Sequence, residues 1–248
     1  MITSFDLSLA SVDLLSHGLG VDCRLFPFQI PSFGATVADR IRVAGAVRED
    51  LQRRGLARAG DLVREVELAV RLFAEHDSAI AVVGDGESGA LYARGSMRGR
   101  DAVLVIRRDN VLRFVLVRPE GLLRAVVDLL PPAQVGPGQS VTVSRPSTVA
   151  TTDSEGTLRS VVRAPRTTAG AQLRVAQDIL RRRRLGDGYF VVTRGKQRSP
   201  ALSWIDTDAG RYLSSMRTDD RGNTHISYFP ADDGRVVHAL GELVSPAR

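Results

Sequence analysis

The sequence of 248 residues has few of the groups that build crosslinked or metal-held folds. Cys23 is the only cysteine, so no internal disulfide can form, and the four histidines are scattered without a cysteine cluster that could hold zinc. The fold must therefore be stabilised by a hydrophobic core, which a chain of this length with 43% hydrophobic residues can build. This composition is typical of a reducing compartment.

Long apolar runs are missing as well. No stretch approaches the roughly 18 apolar residues of a membrane-spanning helix. The first twenty residues carry Asp6 and Asp13 and lack the basic start of a secretory signal peptide. We therefore expect a cytoplasmic protein without membrane insertion.

Lysine is almost absent, because Lys196 is the only one and the other cations are arginines. The formal net charge of +6 is mild for this length, although the pI is about 10.3. The densest cationic run, Arg181 to Arg184, is interpreted as the end of a helix, where cations complement the helix dipole. A nucleic-acid-binding or anionic-surface-binding protein remains the alternative function from composition, and salt-sensitive binding would support it.

Motifs of enzymes are equally scarce. The string Gly84-Asp85-Gly86-Glu87-Ser88-Gly89 matches the G-x-G-x-x-G pattern of dinucleotide sites and follows an apolar strand. A dinucleotide fold needs a crossover helix after the last glycine, whereas here a second strand follows too soon. The string is therefore interpreted as a hairpin loop, with a nucleotide-binding enzyme as the second alternative. We predict no catalytic residue, no cofactor and no metal ion.

What the sequence does contain is a regular order of apolar patterns. The first half predicts helices near residues 8–17, 36–54 and 61–75 and a helix opened by Pro119. It also predicts an irregular strand over 24–30, and then a meander of four strands near 79–84, 90–95, 101–107 and 111–117. A tight turn at Asp109-Asn110 joins the last two of these strands.

The second half repeats this order. It predicts a helix near 169–184, four strands near 188–194, 200–206, 210–217 and 224–229, and a helix near 231–244. We therefore predict an α+β protein with pseudo-twofold, duplicated helix/four-strand meander/helix units that share a mostly antiparallel sheet flanked by helices. The whole chain, 1–248, would be one domain, with an N-terminal half of about 1–144, a crossover of about 145–168 and a C-terminal half of about 169–248.

Three aromatic residues on the second meander are candidates for contacting a partner. Trp204 is interpreted first as a core residue, because a buried indole is the more common use of tryptophan. Tyr212 and Tyr228 are better candidates for the surface, since a tyrosine hydroxyl can stay hydrated while its ring is covered.

Several dispersed segments, Ser199–Leu213, Leu7–Leu15 and the helix start at Arg118-Pro119, resemble the EspG family of proteins associated with ESX (type VII) secretion. The resemblance spans nearly the whole chain. It implies a cytosolic chaperone that binds PE/PPE heterodimers or other small helical ESX substrates and keeps them soluble for export.

The resemblance also implies where the partner binds. In the family the partner contacts the central sheet and the C-terminal helical part, and an early hairpin loop is variable. The corresponding residues here are Trp204, Tyr212 and Tyr228, with a possible rim formed by Gly84, Asp85, Gly86 and Glu87.

Overall fold

The computed structural model describes residues 3–86, 89–145 and 167–245. Within them the chain folds into six helices and thirteen strands whose pairing is mostly antiparallel, which confirms the predicted α+β class. The helices are α1 (Leu9–Leu19), α2 (Val37–Arg53), α3 (Arg64–Ala74), α4 (Pro119–Val127), α5 (Thr167–Arg181) and α6 (Asp233–Val244). The strands are β1 (Ser4–Ser8), β2 (Ala57–Arg58), β3 (Asp61–Leu62), β4 (Ser78–Gly86), β5 (Leu91–Arg98), β6 (Asp101–Arg108), β7 (Val111–Val117), β8 (Val141–Arg145), β9 (Arg184–Arg194), β10 (Gln197–Arg198), β11 (Leu202–Thr207), β12 (Gly210–Thr218) and β13 (Thr224–Pro230).

The chain forms two compact units that interleave along the sequence. The first unit comprises residues 1–131, 190–199 and 237–248, and the second comprises residues 132–189 and 200–236. The predicted internal duplication, with its halves of 1–144 and 169–248, stays a prediction. Residues 146–166 of the predicted crossover lie outside the described residues.

The sheet of the first unit has the strand order β1-β7-β6-β5-β4. Helix α3 packs on one of its faces, where an aromatic cluster fills the core: Phe5 stacks on Phe114 at 5.3 Å between ring centroids, and Phe73 meets Phe114 edge-on at 5.8 Å. Helix α4 covers the other face so closely that a Cβ on Gly95 would lie 3.0 Å from Leu122. This sheet is therefore covered on both faces.

The helix starts follow from short-range capping. Ser8 accepts a hydrogen bond from the backbone N–H of Ser11 at the start of α1, and Thr36 accepts one from Asp39 at the start of α2. Both starts agree with the predicted helices. The eight predicted meander strands are also confirmed, as β4 to β7, β9 and β11 to β13.

The predicted strand over residues 24–30 is wrong. The segment is irregular, with hydrogen bonds from Leu25 N–H to the Cys23 carbonyl and from Phe28 N–H to the Leu25 carbonyl, and a cis peptide bond before Pro27. It buries Phe28 and Ile30 in the core without joining the sheet. Turns rather than a strand therefore place these two side chains in the core.

Asp13 anchors this segment and α2 to α1. Its side chain is buried and accepts hydrogen bonds from Arg24 at 3.1 Å, Arg40 at 2.9 Å and the Phe33 N–H at 3.0 Å. Burial alone would raise the pKa of Asp13, but the Phe33 N–H and the two guanidinium groups outweigh it and hold the pKa below its usual value. The ionised carboxylate therefore ties three parts of the first unit together.

The sheet of the second unit has the strand order β11-β12-β13-β8, and α5 packs against β8. A strap formed by residues 134–138 runs along β12, where Arg211 N–H donates to the Gln134 carbonyl at 2.7 Å and Gly136 N–H donates to the Arg211 carbonyl at 3.0 Å. The strap brings a distant part of the chain onto the strand that carries Tyr212.

Candidate functional site

The antiparallel register separates the three predicted aromatic residues between two faces of the second unit's sheet. Trp204 pairs with Leu213, whereas Ile205 pairs with Tyr212 and Ser214 pairs with Tyr228. Because residues paired across strands share a face and neighbours along a strand alternate, Tyr212 and Tyr228 lie on one face and Trp204 lies on the other. The sheet therefore brings the two tyrosines together and keeps Trp204 apart from them.

Trp204 is buried, with 2% of its surface exposed. Its face also carries Arg211, whose guanidinium is bound by Asp206 and Asp233. The first interpretation of Trp204, as a core residue, agrees with this placement. Contact between Trp204 and a partner stays a prediction.

The surface position expected for Tyr212 is not observed. Its side chain is 1% exposed, and its hydroxyl donates a hydrogen bond to the Pro137 carbonyl at 2.9 Å. The strap lies against the ring, so that a Cβ on Gly136 would come within 2.4 Å of the ring atom Cζ. Burial raises the pKa of Tyr212 above its usual value. A hydrogen bond to the chain itself has replaced the water that we expected at this hydroxyl.

Tyr228 is half-buried and retains an exposed part of its ring. It pairs with Val141 of β8 and packs against the cluster of Val141, Ala176, Ile179 and Tyr212. Tyr228 therefore lies where this cluster meets the surface, and of the three aromatic residues it is the one available to a partner.

We call the face shared by the tyrosines the tyrosine face. Its members on β12, β13 and β8 include Tyr212, Ser214, Met216, Ile226, Tyr228, Val141 and Val143. Helix α5 covers part of it with Ala176 and Ile179, which are buried.

Apolar surface remains exposed at the tyrosine face and on α5. Met216 is 55% exposed, and Leu173 and Leu180 on α5 are each 44% exposed. Large aliphatic side chains exposed in this way are typical of surfaces that bind another protein. Spacing along α5 puts Leu173 and Leu180 beside the buried Ala176, so the apolar stripe of the helix is only partly used inside the unit.

The loop predicted as a rim lies in the first unit. Gly84, Asp85 and Gly86 end β4, and Gly84 pairs with Leu91 of the antiparallel strand β5. The described part of the glycine-rich string thus ends one strand of an antiparallel pair and does not lead from a strand into a helix, as a dinucleotide site requires. Glu87 lies outside the described residues.

A hydrogen-bonded chain of Ser144, His225 and Asp219 lies at the edge of the second unit's sheet. Ser144 Oγ is 2.8 Å from His225 Nδ1, and His225 Nε2 is 3.0 Å from Asp219 Oδ2. In serine hydrolases the serine contacts Nε2 and the carboxylate contacts Nδ1, which is the reverse of this arrangement. Here these two hydrogen bonds join the edge strand β8 to the turn between β12 and β13.

Asp219 is also the organiser of that turn. It accepts hydrogen bonds from the N–H groups of Arg221 and Asn223 and from the Asn223 amide. The hydrogen bond from His225, followed by those from Asn223, holds the pKa of Asp219 well below its usual value. The arrangement fixes a turn beside the tyrosine face.

The first unit has a groove of its own, with a volume of about 450 Å³, between α1, α2 and the β2–β3 hairpin. Leu15, Leu19, Val47 and Leu62 are among its lining residues. In the described residues no group of three or more His, Cys, Asp or Glu side chains could hold a metal ion. A helix that spans a membrane has to be long and apolar, and none of the described helices is both long and apolar enough to cross a membrane.

Comparison with known proteins identifies the family. The model of the EspG family matches residues 8–242. A solved structure of similar fold is that of the Mycobacterium tuberculosis type VII secretion system chaperone EspG5 in complex with the PE25-PPE41 dimer. The TM-score is 0.67 at 12% sequence identity, and the similarity covers 98% of this chain and 97% of that chain. A search of curated proteins gives no significant match.

Proposed function

Because the chain belongs to the EspG family, we propose that it is a cytosolic chaperone of a type VII (ESX) secretion system, which binds PE/PPE heterodimers and keeps them soluble for export. The observation that carries this proposal is the family match over residues 8–242. The similar fold of EspG5, solved in complex with a PE-PPE dimer, supports the same class of substrate. The proposed function is binding and not catalysis.

The tyrosine face is the surface that we assign to the substrate. A chaperone of this kind has to cover apolar surface on its substrate, and the side chains best suited to do so are exposed aliphatic and aromatic groups. Met216, Tyr228 and the α5 residues Leu173 and Leu180 offer such groups in the second unit. The 84–87 loop stays a proposed rim of the binding surface.

The experiment is co-expression with PE/PPE pairs encoded in the same genome, followed by size-exclusion chromatography with light scattering. We expect one pair to elute with the chaperone as a complex of defined stoichiometry, and to become more soluble than when expressed alone. Failure of every pair to bind, together with salt-sensitive binding of DNA or RNA, would instead support the nucleic-acid-binding alternative.

A pair of matched variants tests the surface. Met216→Glu puts a charge on the tyrosine face, whereas Val37→Glu puts the same charge on α2, where Val37 is 79% exposed. We expect Met216→Glu to weaken the complex by about tenfold or more, as for an apolar contact buried by a partner, and Val37→Glu to leave it unchanged. Equal affinities of the two variants would rule out the tyrosine face as the binding surface.

A further inference from the structure

Two tight turns of the first unit meet at one residue, Asp77, in the connection between α3 and β4. Gly99, in the turn between β5 and β6, donates its N–H to Asp77 Oδ2 at 3.3 Å. Gly195, in the turn between β9 and β10, donates its N–H to the Asp77 carbonyl at 2.9 Å. Each glycine is followed by an exposed cation, Arg100 in one turn and Lys196 in the other. Two turns from distant parts of the sequence, each carrying an exposed cation, are thus hydrogen-bonded to the same residue.

We call this region the basic corner, and its residues are Phe26, Arg98, Arg100, Arg194, Lys196 and Arg198. Arg98 is 3.4 Å from Glu75, and Arg194 donates to the Ser245 carbonyl at 2.8 Å. Arg100 and Lys196 form no ion pair with any residue that the structure describes. The carboxylate of Asp77 accepts the Gly99 N–H. The five cations of the corner outnumber the three exposed carboxylates beside them, Glu75, Asp77 and Asp101, so the net charge of the region is positive.

An exposed aromatic ring belongs to the same region. Phe26 is 46% exposed, and the guanidinium carbon of Arg198 lies over its ring at 5.6 Å from the centroid. This cation–π contact holds Arg198 in place while leaving much of the ring accessible. The corner therefore combines cations with one apolar contact surface.

A buried arginine lies beneath Phe26. Arg94 is 6% exposed, and it donates to the Phe26 carbonyl at 2.8 Å and contacts His76 Nε2 at 2.9 Å. Burial lowers the pKa of Arg94 to about 10, so the guanidinium is charged at neutral pH. Burial and then the Arg94 charge lower the pKa of His76, which keeps this partner neutral.

The charge of Arg94 is not paired with a carboxylate in the part of the chain that the structure describes. Its Nε also lacks a hydrogen-bond partner among the described residues. A charge inside the protein is screened less than one in water, so it adds to the positive potential of the surface above it. The corner is thus more strongly positive than its exposed side chains alone would make it.

We propose that the basic corner binds an acidic segment of a protein partner, with carboxylates on Arg100 and Lys196 and an apolar side chain on Phe26. The inference deepens the proposed function, because the partner in question is the secretion substrate. A protein segment fits better than a nucleic acid, since Glu75, Asp77 and Asp101 lie among the cations and would repel a continuous phosphate backbone. A peptide can place isolated carboxylates between them.

A direct test uses a fluorescein-labelled peptide of alternating glutamate and leucine residues, compared with the same peptide in which glutamine replaces glutamate. Fluorescence polarisation would be measured with the wild-type chain at low and at high NaCl concentration. We expect the acidic peptide alone to bind, and its affinity to fall as salt screens the charges. An oligodeoxythymidine that binds more tightly than the acidic peptide would overturn the choice of a protein segment.

Two double variants locate the binding. Arg100→Glu/Lys196→Glu reverses the charge of two cations in the basic corner. Arg58→Glu/Arg64→Glu reverses the charge of two other exposed arginines of the first unit. We expect the first to weaken peptide binding by about tenfold or more and the second to change it by less than about twofold. Phe26→Ala should remove part of the affinity without changing its salt dependence. Circular dichroism melting curves would show that each variant is folded.

The same variants in the co-expression experiment separate this inference from the proposed function. If the wild type binds a PE/PPE pair and the reversed corner binds that pair and the acidic peptide equally well, the corner is not a docking site, although the chaperone function stands. If the wild type binds the acidic peptide through the corner but no substrate pair, the proposed function fails and the corner still binds acidic segments.

Discussion

Arg211 and Asp206 form a buried bidentate ion pair in the second unit, with Nε at 2.7 Å from Oδ1 and the second guanidinium nitrogen at 2.9 Å from Oδ2. The Arg211 side chain is fully buried, and its other nitrogen donates to Asp233 at 2.9 Å. The pair joins β11 to β12 and lies on the face that carries Trp204.

Asp206→Asn should strongly destabilise the second unit, because it removes one charge and leaves a buried guanidinium that is only partly compensated. We expect a loss of about 3 kcal/mol in the free energy of unfolding, measured by urea titration followed by circular dichroism. The control is Asp50→Asn, which breaks two surface pairs, with Arg53 and with Arg54, and should cost less than about 1 kcal/mol. Equal losses for the two variants would contradict the importance of the buried pair.

Cys23 should be unreactive in the folded protein. It is 1% exposed, and burial raises the pKa of its thiol to about 12, so almost none of the reactive thiolate exists at pH 8. We expect a disulfide reagent such as DTNB to label it at least about a hundredfold more slowly in the native chain than in guanidinium chloride. Rapid labelling of the native chain would show that the segment around Cys23 opens easily.

His225→Ala should raise the pKa of Asp219 back toward its usual value, because the hydrogen bond from His225 is the largest cause of the depressed pKa. The stabilisation that comes from ionised Asp219 is present above the usual carboxyl pKa and is lost as the pH falls through the depressed one. An NMR titration of the Asp219 carboxyl carbon measures the pKa of Asp219 directly in the wild type and in the variant. An unchanged titration in the variant would mean that Asn223 and the backbone N–H groups hold the carboxylate without His225.

Gly136→Ala should loosen the strap over Tyr212. A Cβ at this position would lie 2.4 Å from the tyrosine ring, so either the strap or the ring has to move. We expect a loss of about 1–3 kcal/mol in unfolding free energy and an increase in Tyr212 exposure. Gly45→Ala in α2 is the control: nothing lies within 4 Å of its new Cβ, and it should stabilise the helix by up to about 1 kcal/mol.

The helices and strands that could be predicted best from the sequence are those determined by residues close together in the sequence. Ser8 and Thr36 cap helices whose apolar faces follow directly, so capping and periodicity agree within a few residues. Strands β1 and β8 were missed because each is only five residues long, and each pairs with a strand far away in sequence. The alternation of Phe5 and Leu7, both buried, was the available signal for β1.

The candidate site was harder to predict, because its exposure depends on long-range packing. Nothing near Tyr212 in sequence indicates that Pro137 will accept its hydroxyl hydrogen bond and that Gly136 will cover its ring. The basic corner is a similar case, since Gly99 and Gly195 lie far apart in the sequence and meet only at Asp77. The residue types indicated which side chains could contact a partner. Only the fold could show which of these side chains are already buried by other parts of the same chain.

The interleaving of the two units has a consequence for how the protein is made. Residues 237–248 of the first unit leave the ribosome only after the whole second unit has been synthesised. The β9–β10 turn that completes the basic corner is likewise translated long after the strands beside it. The first unit therefore cannot be completed until its last two segments, 190–199 and 237–248, have been translated. A gene fragment encoding residues 1–131 alone would lack both segments, and with them Lys196 and most of α6.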